Sequence, residues 1–392
     1  MHFEFATASR ILFGPGVVKE VGGLAAKMGK RALVVTGKAA ADPSLLLRVL
    51  VENSVAYRLF EVPGEPTIQL VEEGTRLARE QNSEVVIGFG GGSSIDTAKA
   101  ISVIATNPGK LMEFLEVIGS GKSISQPGLP VIAIPTTSGT GAEVTRNAVL
   151  TSPEHLMKIS LRSPLMIPRV AVVDPELTYS LPPSVTASTG MDALAQLIEP
   201  FVSSRHNPLT DAICLEGIRK AARSLLKAYE HPHDFAARED MALASLFGGL
   251  ALANAGLGAV HGFASPVGGM FTAPHGAVCA RLLAPVMAVN FQALSARDRD
   301  PNDYRIPVGE ISSRYLEIAR ILTGKEGVKI DDGIAWLEQL CQALNIPGLA
   351  DYGVTPGDIP DLVEKAGIAS SMQVNPVKLK PSELQLILEK AL

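Results

Sequence analysis

The sequence predicts an α/β domain built on a parallel sheet over residues 1–180, followed by an all-helical domain over 181–392. Three observations predict it. Apolar runs of strand length, such as Arg31–Thr36, Glu84–Gly90 and Val131–Pro135, each lead into a helix-like stretch, the rhythm of a sheet buried on both faces. From Pro183 to Leu392 the periodicity turns helical and β-branched runs become sparse. At 392 residues the chain exceeds the usual single core, and 46% hydrophobic with only 5% aromatic residues suits Ala- and Leu-rich helices.

Taken in order, Ile11–Gly16 reads as a short strand stopped by a turn, with a helix running to about Met28. Arg31–Thr36 is a buried strand closed by Gly37 and Lys38. A helix from Asp42, a strand near Tyr57–Val62 and a helix over 67–81 follow. Glu84–Gly90 and Val131–Pro135 are the next strands. Arg146–Leu150 and Met157–Leu161 pair as a hairpin, and Val170–Val173 ends at Asp174-Pro175. In the second half, helices are expected at 184–204, 208–230, 234–258, 276–292, 308–323, 330–344, 357–370 and 381–391. Asp298–Pro307 and Tyr352–Pro360 read as surface connections.

A formal net charge of -5 gives no electrostatic footprint for nucleic acid or an anionic membrane, leaving small molecules or a second copy as partners. The three cysteines, Cys214, Cys279 and Cys341, are odd in number and widely spaced, which fits a reducing compartment. The N-terminus has neither a basic start nor a sustained apolar core, so a cytoplasmic location is expected. Met241–Val260 has the length of a bilayer span and no charge. Its Ser245, Asn254 and four glycines, with Arg238, Glu239 and Asp240 just before it, favour a central helix buried by its neighbours.

Two loops carry ligand chemistry in the first half. Gly90-Gly91-Gly92-Ser93-Ser94 turns a strand into a helix, and glycines there let an anion reach the backbone N–H groups of the new helix. The turn expects a phosphate on Gly91, Gly92 and Ser93, with Asp96 holding it; a plain tight turn is the alternative. Thr136-Thr137-Ser138-Gly139-Thr140-Gly141 follows another strand end, where ligands of open α/β sheets gather. It reads as a second ligand-facing loop, as a Ser138 or Thr140 helix cap assisted by Glu143, or as both.

The second half carries a metal-type pattern. Asp192 and Gln196 stand four apart in an apolar helical stretch and so share a face. His261 ends a long apolar segment, and His275 follows a proline.

With these motifs assembled, the chain resembles the iron-containing (group III) alcohol dehydrogenase family over essentially its whole length. The resemblance rests on Gly90–Lys99, Pro135–Glu143, Val173–Thr178, Gly190–Leu194, Asn254–His261 and Pro274–Gly276. It implies a Rossmann-like domain that binds NAD or NADP, a helical domain of dehydroquinate synthase-like architecture, and a divalent metal, Fe²⁺ or Zn²⁺, in a cleft between them. It also implies a homodimer and hydride transfer between nicotinamide C4 and an alcohol or carbonyl carbon, with small alcohols or aldehydes as substrates. Thr136, Thr137, Ser138 and Thr140 are then expected beside the nicotinamide, and Lys158 near its ribose. Asp192, His261 and His275 match the family's metal-binding, catalytic set.

Three positions depart from the family pattern. Gln196 stands where a ligating His is usual; it ligates through its carbonyl oxygen, or the site keeps three protein ligands. Ser265 stands where many relatives have a second His, which moves proton transfer to water, Ser265 or a ribose hydroxyl. Gly37 replaces the Asp that favours NAD, and Lys38 beside it either pairs with the 2′-phosphate of NADP or is simply solvated. Without a His at Gln196, two further readings stay open: a metal-free reductase resembling maleylacetate reductase, and a lyase resembling dehydroquinate synthase that uses NAD transiently. The segment Phe263–Phe271 is expected to line an apolar substrate pocket.

Overall fold

A computed structural model describes residues 2–38, 41–155, 157–294 and 300–392. The chain forms two compact units, Ala6–Leu181 and Pro182–Leu392, the second including the first residues through Phe5.

In the first unit the apolar runs form six parallel strands: β1 (Arg10–Phe13), β2 (Arg31–Gly37), β3 (Ala56–Val62), β4 (Val85–Gly90), β5 (Val131–Pro135) and, after a separate hairpin, β8 (Val170–Val173). Their order is β1-β8-β5-β4-β2-β3. Side chains alternate between two cores because successive Cβ atoms point to opposite faces. Leu33, Val35 and Val86 enter the core beneath α3 (Ile68–Glu80) and α4 (Gly92–Thr106). Ala32, Val34, Val85 and Ile87 enter the one beneath α1 (Val21–Ala26) and α2 (Ser44–Glu52). That double burial is why the strands read as unbroken apolar runs.

From β2 the chain moves outward to β3, while from β4 it moves the opposite way to β5. The carboxyl ends of β2 and β4 therefore flank the point where the strand order reverses, the usual ligand crevice of such sheets. A short helix α5 (Leu111–Phe114) follows α4. The expected hairpin is present as β6 (Asn147–Ser152) and β7 (Met157–Arg162), antiparallel from Asn147 opposite Arg162 to Ser152 opposite Met157. The helix expected after Gly16 is instead a 3₁₀ turn, Val17–Glu20, followed by the short α1.

The second unit is helical throughout: α6 (Pro183–Val202), α7 (Pro208–Glu230), α8 (Phe235–Ala255), α9 (Ala259–Met270), α10 (His275–Leu294), α11 (Val308–Thr323), α12 (Ile330–Ala343), α13 (Ile359–Gly367) and α14 (Pro381–Ala391). Two expectations need correction. Met241–Val260 is not one helix: α8 ends at Gly256, whose φ of 75° favours glycine, and the chain bends by 100° into α9. That break creates α9, a helix the periodicity did not predict, because Pro266 and three glycines weaken its pattern. The second correction concerns Phe263, whose side chain is completely buried in the helical core rather than open to solvent; Met270 and Phe271 pack partly against the same core. Of the expected connections, Asp298 and Arg299 lie outside the described residues. Pro301–Asp303 forms a 3₁₀ turn and Tyr304 bridges to Val377. Helix α10 is long and apolar enough to cross a membrane, yet 72% of that stretch is buried in the unit.

Candidate active site

The first unit brings its two ligand-type loops together. Gly91 caps α4, so the amides of Gly92 and Ser93 lie in a first turn that has no earlier helical carbonyl to receive them. The Thr136 amide donates to the Gly90 carbonyl at 2.9 Å, which ties the second loop to the first. A Cβ on Gly92 would stand 2.9 Å from the Thr140 side chain, and one on Gly91 3.5 Å from Thr137. Gly90, at φ +148°, has room for no side chain: a Cβ would meet Ser94 Oγ at 2.5 Å. The same position lies 3.4 Å from the Gly37 nitrogen, so the ends of β2 and β4 touch. Gly91, Gly92, Ser93, Thr137 and Thr140 remain half-buried, Ser138 and Thr136 are buried, and the Thr136 hydroxyl has no partner among the described residues.

Other residues of the crest hold different posts from those expected. Asp96 does not hold the glycine turn: its carboxylate accepts from the Val149 amide at 2.9 Å and pairs with Lys99 at 2.9 Å, fastening the hairpin to α4. Lys99, fully buried, also donates to the Ala142 carbonyl and Thr145 Oγ1, both at 2.9 Å. Neither Ser138 nor Thr140 caps a helix, since the short 3₁₀ turn Ala142–Val144 is entered through Gly141 at φ 58°. Glu143, buried there, has its carboxyl pushed up to about 7 by burial. Lys158 pairs with Glu65 at 3.2 Å, and Lys38 is exposed beside Gly37.

The second unit gathers side chains rather than amides. Asp192, Gln196 and Glu199 lie on α6 at spacings of four and three, so all three share one stripe of the helix. Glu199 uses both oxygens. Oε1 accepts from the Val260 amide at 2.7 Å in the first turn of α9, and Oε2 accepts from His261 Nδ1 at 2.6 Å. Gly258 makes this approach possible, because a Cβ there would sit 2.8 Å from Glu199 Oε1. His261 is thereby turned so that Nε2 faces Asp192 Oδ1 at 3.3 Å. His275 opens α10 and brings its Nε2 to 3.7 Å from the same oxygen, while Cys279, one turn on, lies 3.6 Å from His275 Nε2 and 3.7 Å from His261 Nε2. Gly276 sets the fit of α10 on α6: a Cβ would stand 2.4 Å from the Ser188 carbonyl oxygen.

The electrostatics follow from this packing. Burial works to raise the Asp192 carboxyl, but the His275 and His261 imidazoles and the Gln196 amide outweigh it and bring it down to about 2. Burial works to lower His261, and the Cys279 sulfur with the carboxylates of Glu199 and Asp192 outweighs it, holding the imidazole well above its ordinary range. Burial pushes the Cys279 thiol up to about 12. With Nδ1–H committed to Glu199, a neutral His261 would turn a lone pair toward a carboxylate oxygen. Such an arrangement demands a cation or a proton between the two.

One donor atom each from Asp192, His261, His275 and Cys279 lies within 4.8 Å of all the others. A buried anion, two imidazoles and a thiol converging in this way fit a divalent transition-metal ion. Gln196 sits beside the cluster: its Nε2 donates to Asp192 Oδ2 at 2.8 Å, and its buried Oε1 has no partner among the described residues. Ser265 lies one turn beyond His261 on α9, half-buried. The sequence reading missed Cys279 and Glu199, although the signal was present. Cys279 follows His275 by four residues and Glu199 follows Asp192 by seven, spacings that return a helix to the same face.

A glycine turn at the reversal point of a parallel sheet, on one chain with a helical unit that gathers Asp, His, His and Cys, defines a class: the alcohol oxidoreductases built from these two kinds of unit. The chain belongs to the iron-containing alcohol dehydrogenase family. The model described as iron-containing alcohol dehydrogenase matches residues 8–175, and that of the family's C-terminal region matches residues 186–392. The chain is 36% identical to alcohol dehydrogenase 4 of Saccharomyces cerevisiae over 385 residues, covering 97% of this chain and 96% of that one. It is 33% identical to the NAD-dependent methanol dehydrogenase of Bacillus methanolicus over 393 residues, 97% of each chain. The crystal structure of a 1,3-propanediol oxidoreductase superimposes with a TM-score of 0.91 at 31% identity, covering all of both chains. The protein is an alcohol oxidoreductase.

Proposed function

We propose that the protein is a metal- and NAD(P)-dependent alcohol dehydrogenase, or aldehyde reductase in the reverse direction, acting on small alcohols. The observation that carries this reading is the convergence of Asp192, His261 and His275 in a buried cluster, on a chain whose other unit presents an open glycine turn. When bound, the divalent metal, Fe²⁺ or Zn²⁺, supplies Lewis acidity that polarises the substrate oxygen.

The chain's own residues do the rest. Asp192, His261 and His275 hold the ion, and Glu199 fixes the tautomer and tilt of His261 from behind. Gly91, Gly92 and Ser93 offer first-turn amides to the pyrophosphate, and Thr136, Thr137, Ser138 and Thr140 border the nicotinamide end. Asp96 acts one step back, by fastening the β6–β7 hairpin to α4. Ser265, half-buried one turn from His261, is the hydroxyl available to pass a proton. Because Gly37 stands where a ribose-binding carboxylate would repel a 2′-phosphate, and Lys38 is exposed beside it, NADPH is accepted along with NADH. Lys158 and its partner Glu65 are a pair that ribose binding would rearrange. The assembly is a cytoplasmic homodimer.

The test is elemental analysis of protein purified without chelator, alongside oxidation of NADH and NADPH by a panel of short aldehydes. Near-stoichiometric iron or zinc, with one reduced cofactor consumed per carbonyl, supports the proposal. Turnover in metal-free protein overturns the metal's part in it.

A further inference from the structure

The position of Gln196 raises the question of what completes the metal site. Its buried Oε1 has no partner among the described residues, while its Nε2–H donates to Asp192 Oδ2 at 2.8 Å. That hydrogen bond leaves Asp192 Oδ1 as the oxygen turned to the two imidazoles. Cys279 Sγ stands 3.7 Å from His261 Nε2 and 3.6 Å from His275 Nε2.

We infer that Cys279 is the fourth protein ligand of this site, standing in for the family's second-position His, and that the Asp192/His261/His275/Cys279 set selects a zinc-type ion. The inference rests on the metal reading above and adds the identity of the ligand and of the ion. Geometry carries it. In a tetrahedron with metal–nitrogen and metal–oxygen bonds of ~2.0–2.1 Å and a metal–sulfur bond of ~2.3 Å, N/O edges come to ~3.4 Å and N–S edges to ~3.6 Å. Four of the six edges are 3.3 and 3.7 Å from Asp192 Oδ1 to the two Nε2 atoms, and 3.7 and 3.6 Å from those atoms to Cys279 Sγ, and one donor atom from each of the four residues lies within 4.8 Å of the others. Burial agrees with it: Cys279 is fully buried, and among its recorded contacts sulfur meets both ligating nitrogens.

The chemistry points the same way. On binding, the Cys279 Sγ–H bond breaks, its electron pair goes to the metal, and the proton leaves to solvent. The thiolate and the Asp192 carboxylate together match the charge of a divalent ion. Soft sulfur favours zinc over ferrous iron, and such a site would take the substrate oxygen by expanding to five donors. Gln196 is a positioning residue: by occupying Oδ2 it keeps Asp192 bound through Oδ1 alone.

The experiment loads the full-length protein with cobalt(II) alone and records its absorption, with zinc-loaded protein taken for X-ray absorption at the zinc edge. Visible cobalt d–d bands report that the ion is held, and a near-ultraviolet sulfur-to-cobalt charge-transfer band reports the thiolate. We expect both, with one sulfur at ~2.3 Å among nitrogen and oxygen neighbours at the zinc edge. Cys279→Ser loses the charge-transfer band, whereas Gln196→Ala and the Cys214→Ser/Cys341→Ser pair keep it. The zinc-edge measurement needs no variant, so a Cys279→Ser protein that fails to fold leaves the inference exposed. Cobalt d–d bands without the charge-transfer band, or zinc without a sulfur neighbour, overturn the Cys279 assignment and leave the metal reading standing. No cobalt or zinc uptake at all overturns both.

Discussion

The two ligand-bearing regions are built from opposite materials. The crest of the sheet works through backbone: glycines at 90–92, amides of a helix's first turn, and hydroxyls of a threonine-rich loop touching them. The helical cluster works through side chains, each bearing a particular donor atom on α6, α9 or α10. A backbone site is specified by what must be absent, namely a Cβ. A side-chain site is specified by what must be present. At the crest the chain keeps the family's motifs over Gly90–Lys99 and Pro135–Glu143 and leaves the pattern at Gly37, whereas in the cluster it leaves it at Gln196.

The largest break in this comparison is Asp192→Ala. Removing the one anion that faces both imidazoles should abolish stoichiometric metal binding and cut turnover by about 1000-fold or more, a loss of several kcal/mol of transition-state stabilisation. Elemental analysis and initial rates check it, and an unchanged fold by circular dichroism assigns the loss to the site. Glu199→Gln tests whether the cluster depends on a residue that never meets the ion. Its amide cannot be both acceptors that Val260 N–H and His261 Nδ1–H require, so metal affinity should fall by about 10- to 100-fold. Chelator competition reads that directly.

On the crest, Gly92→Ala should weaken NAD(P)H binding about 10-fold, because its new methyl collides with Thr140 at 2.9 Å. Gly92→Ala combined with Thr140→Ala should recover most of that affinity, which cofactor fluorescence titration follows. Metal content should be untouched in both, and a loss of metal there would dissolve the distinction between the regions. A last test concerns Glu143, in stability rather than in binding. Its carboxyl titrates at about 7 when folded against 4.5 in the open chain, so between those values the folded state holds a proton the unfolded state has lost. Native stability should therefore fall as pH rises from 4.5 to 7 and level off above. Glu143→Gln removes that fall, and its unfolding free energy, read by denaturant titration, should exceed wild type increasingly up to pH 7, by on the order of 3 kcal/mol at most.

How much of this was legible in the sequence follows from the same contrast. The strands of the sheet were readable because double burial writes unbroken apolar runs, and the glycine turn because three glycines between strand and helix have few other uses. The hairpin at 147–162 announced itself by alternation. In the helical unit, α6 and α7 were plain, but α9 was hidden by Pro266 and its glycines, and Met241–Val260 read as one helix because composition says nothing of a bend. Asp192, His261 and His275 were found by type and frame. Cys279 was passed over because cysteine was weighed for disulfides, and all three cysteines are free. Asp96 was misplaced because a carboxylate near a glycine turn looks local, when its hydrogen bond runs to Val149, 53 residues away.

The contact of Gly276 with the Ser188 carbonyl bears on how such a site changes over time. With no side chain between them, α10 rests on α6 as one surface on another, and the spacing between the two helices is a property of their main chains. That contact acts as a gauge block. Donors mounted on either helix can be exchanged, a histidine lost at one position and a sulfur gained at another, while the gap into which they project keeps its width. A new metal preference is then reachable by point substitution, without the helices having to find a new way to pack.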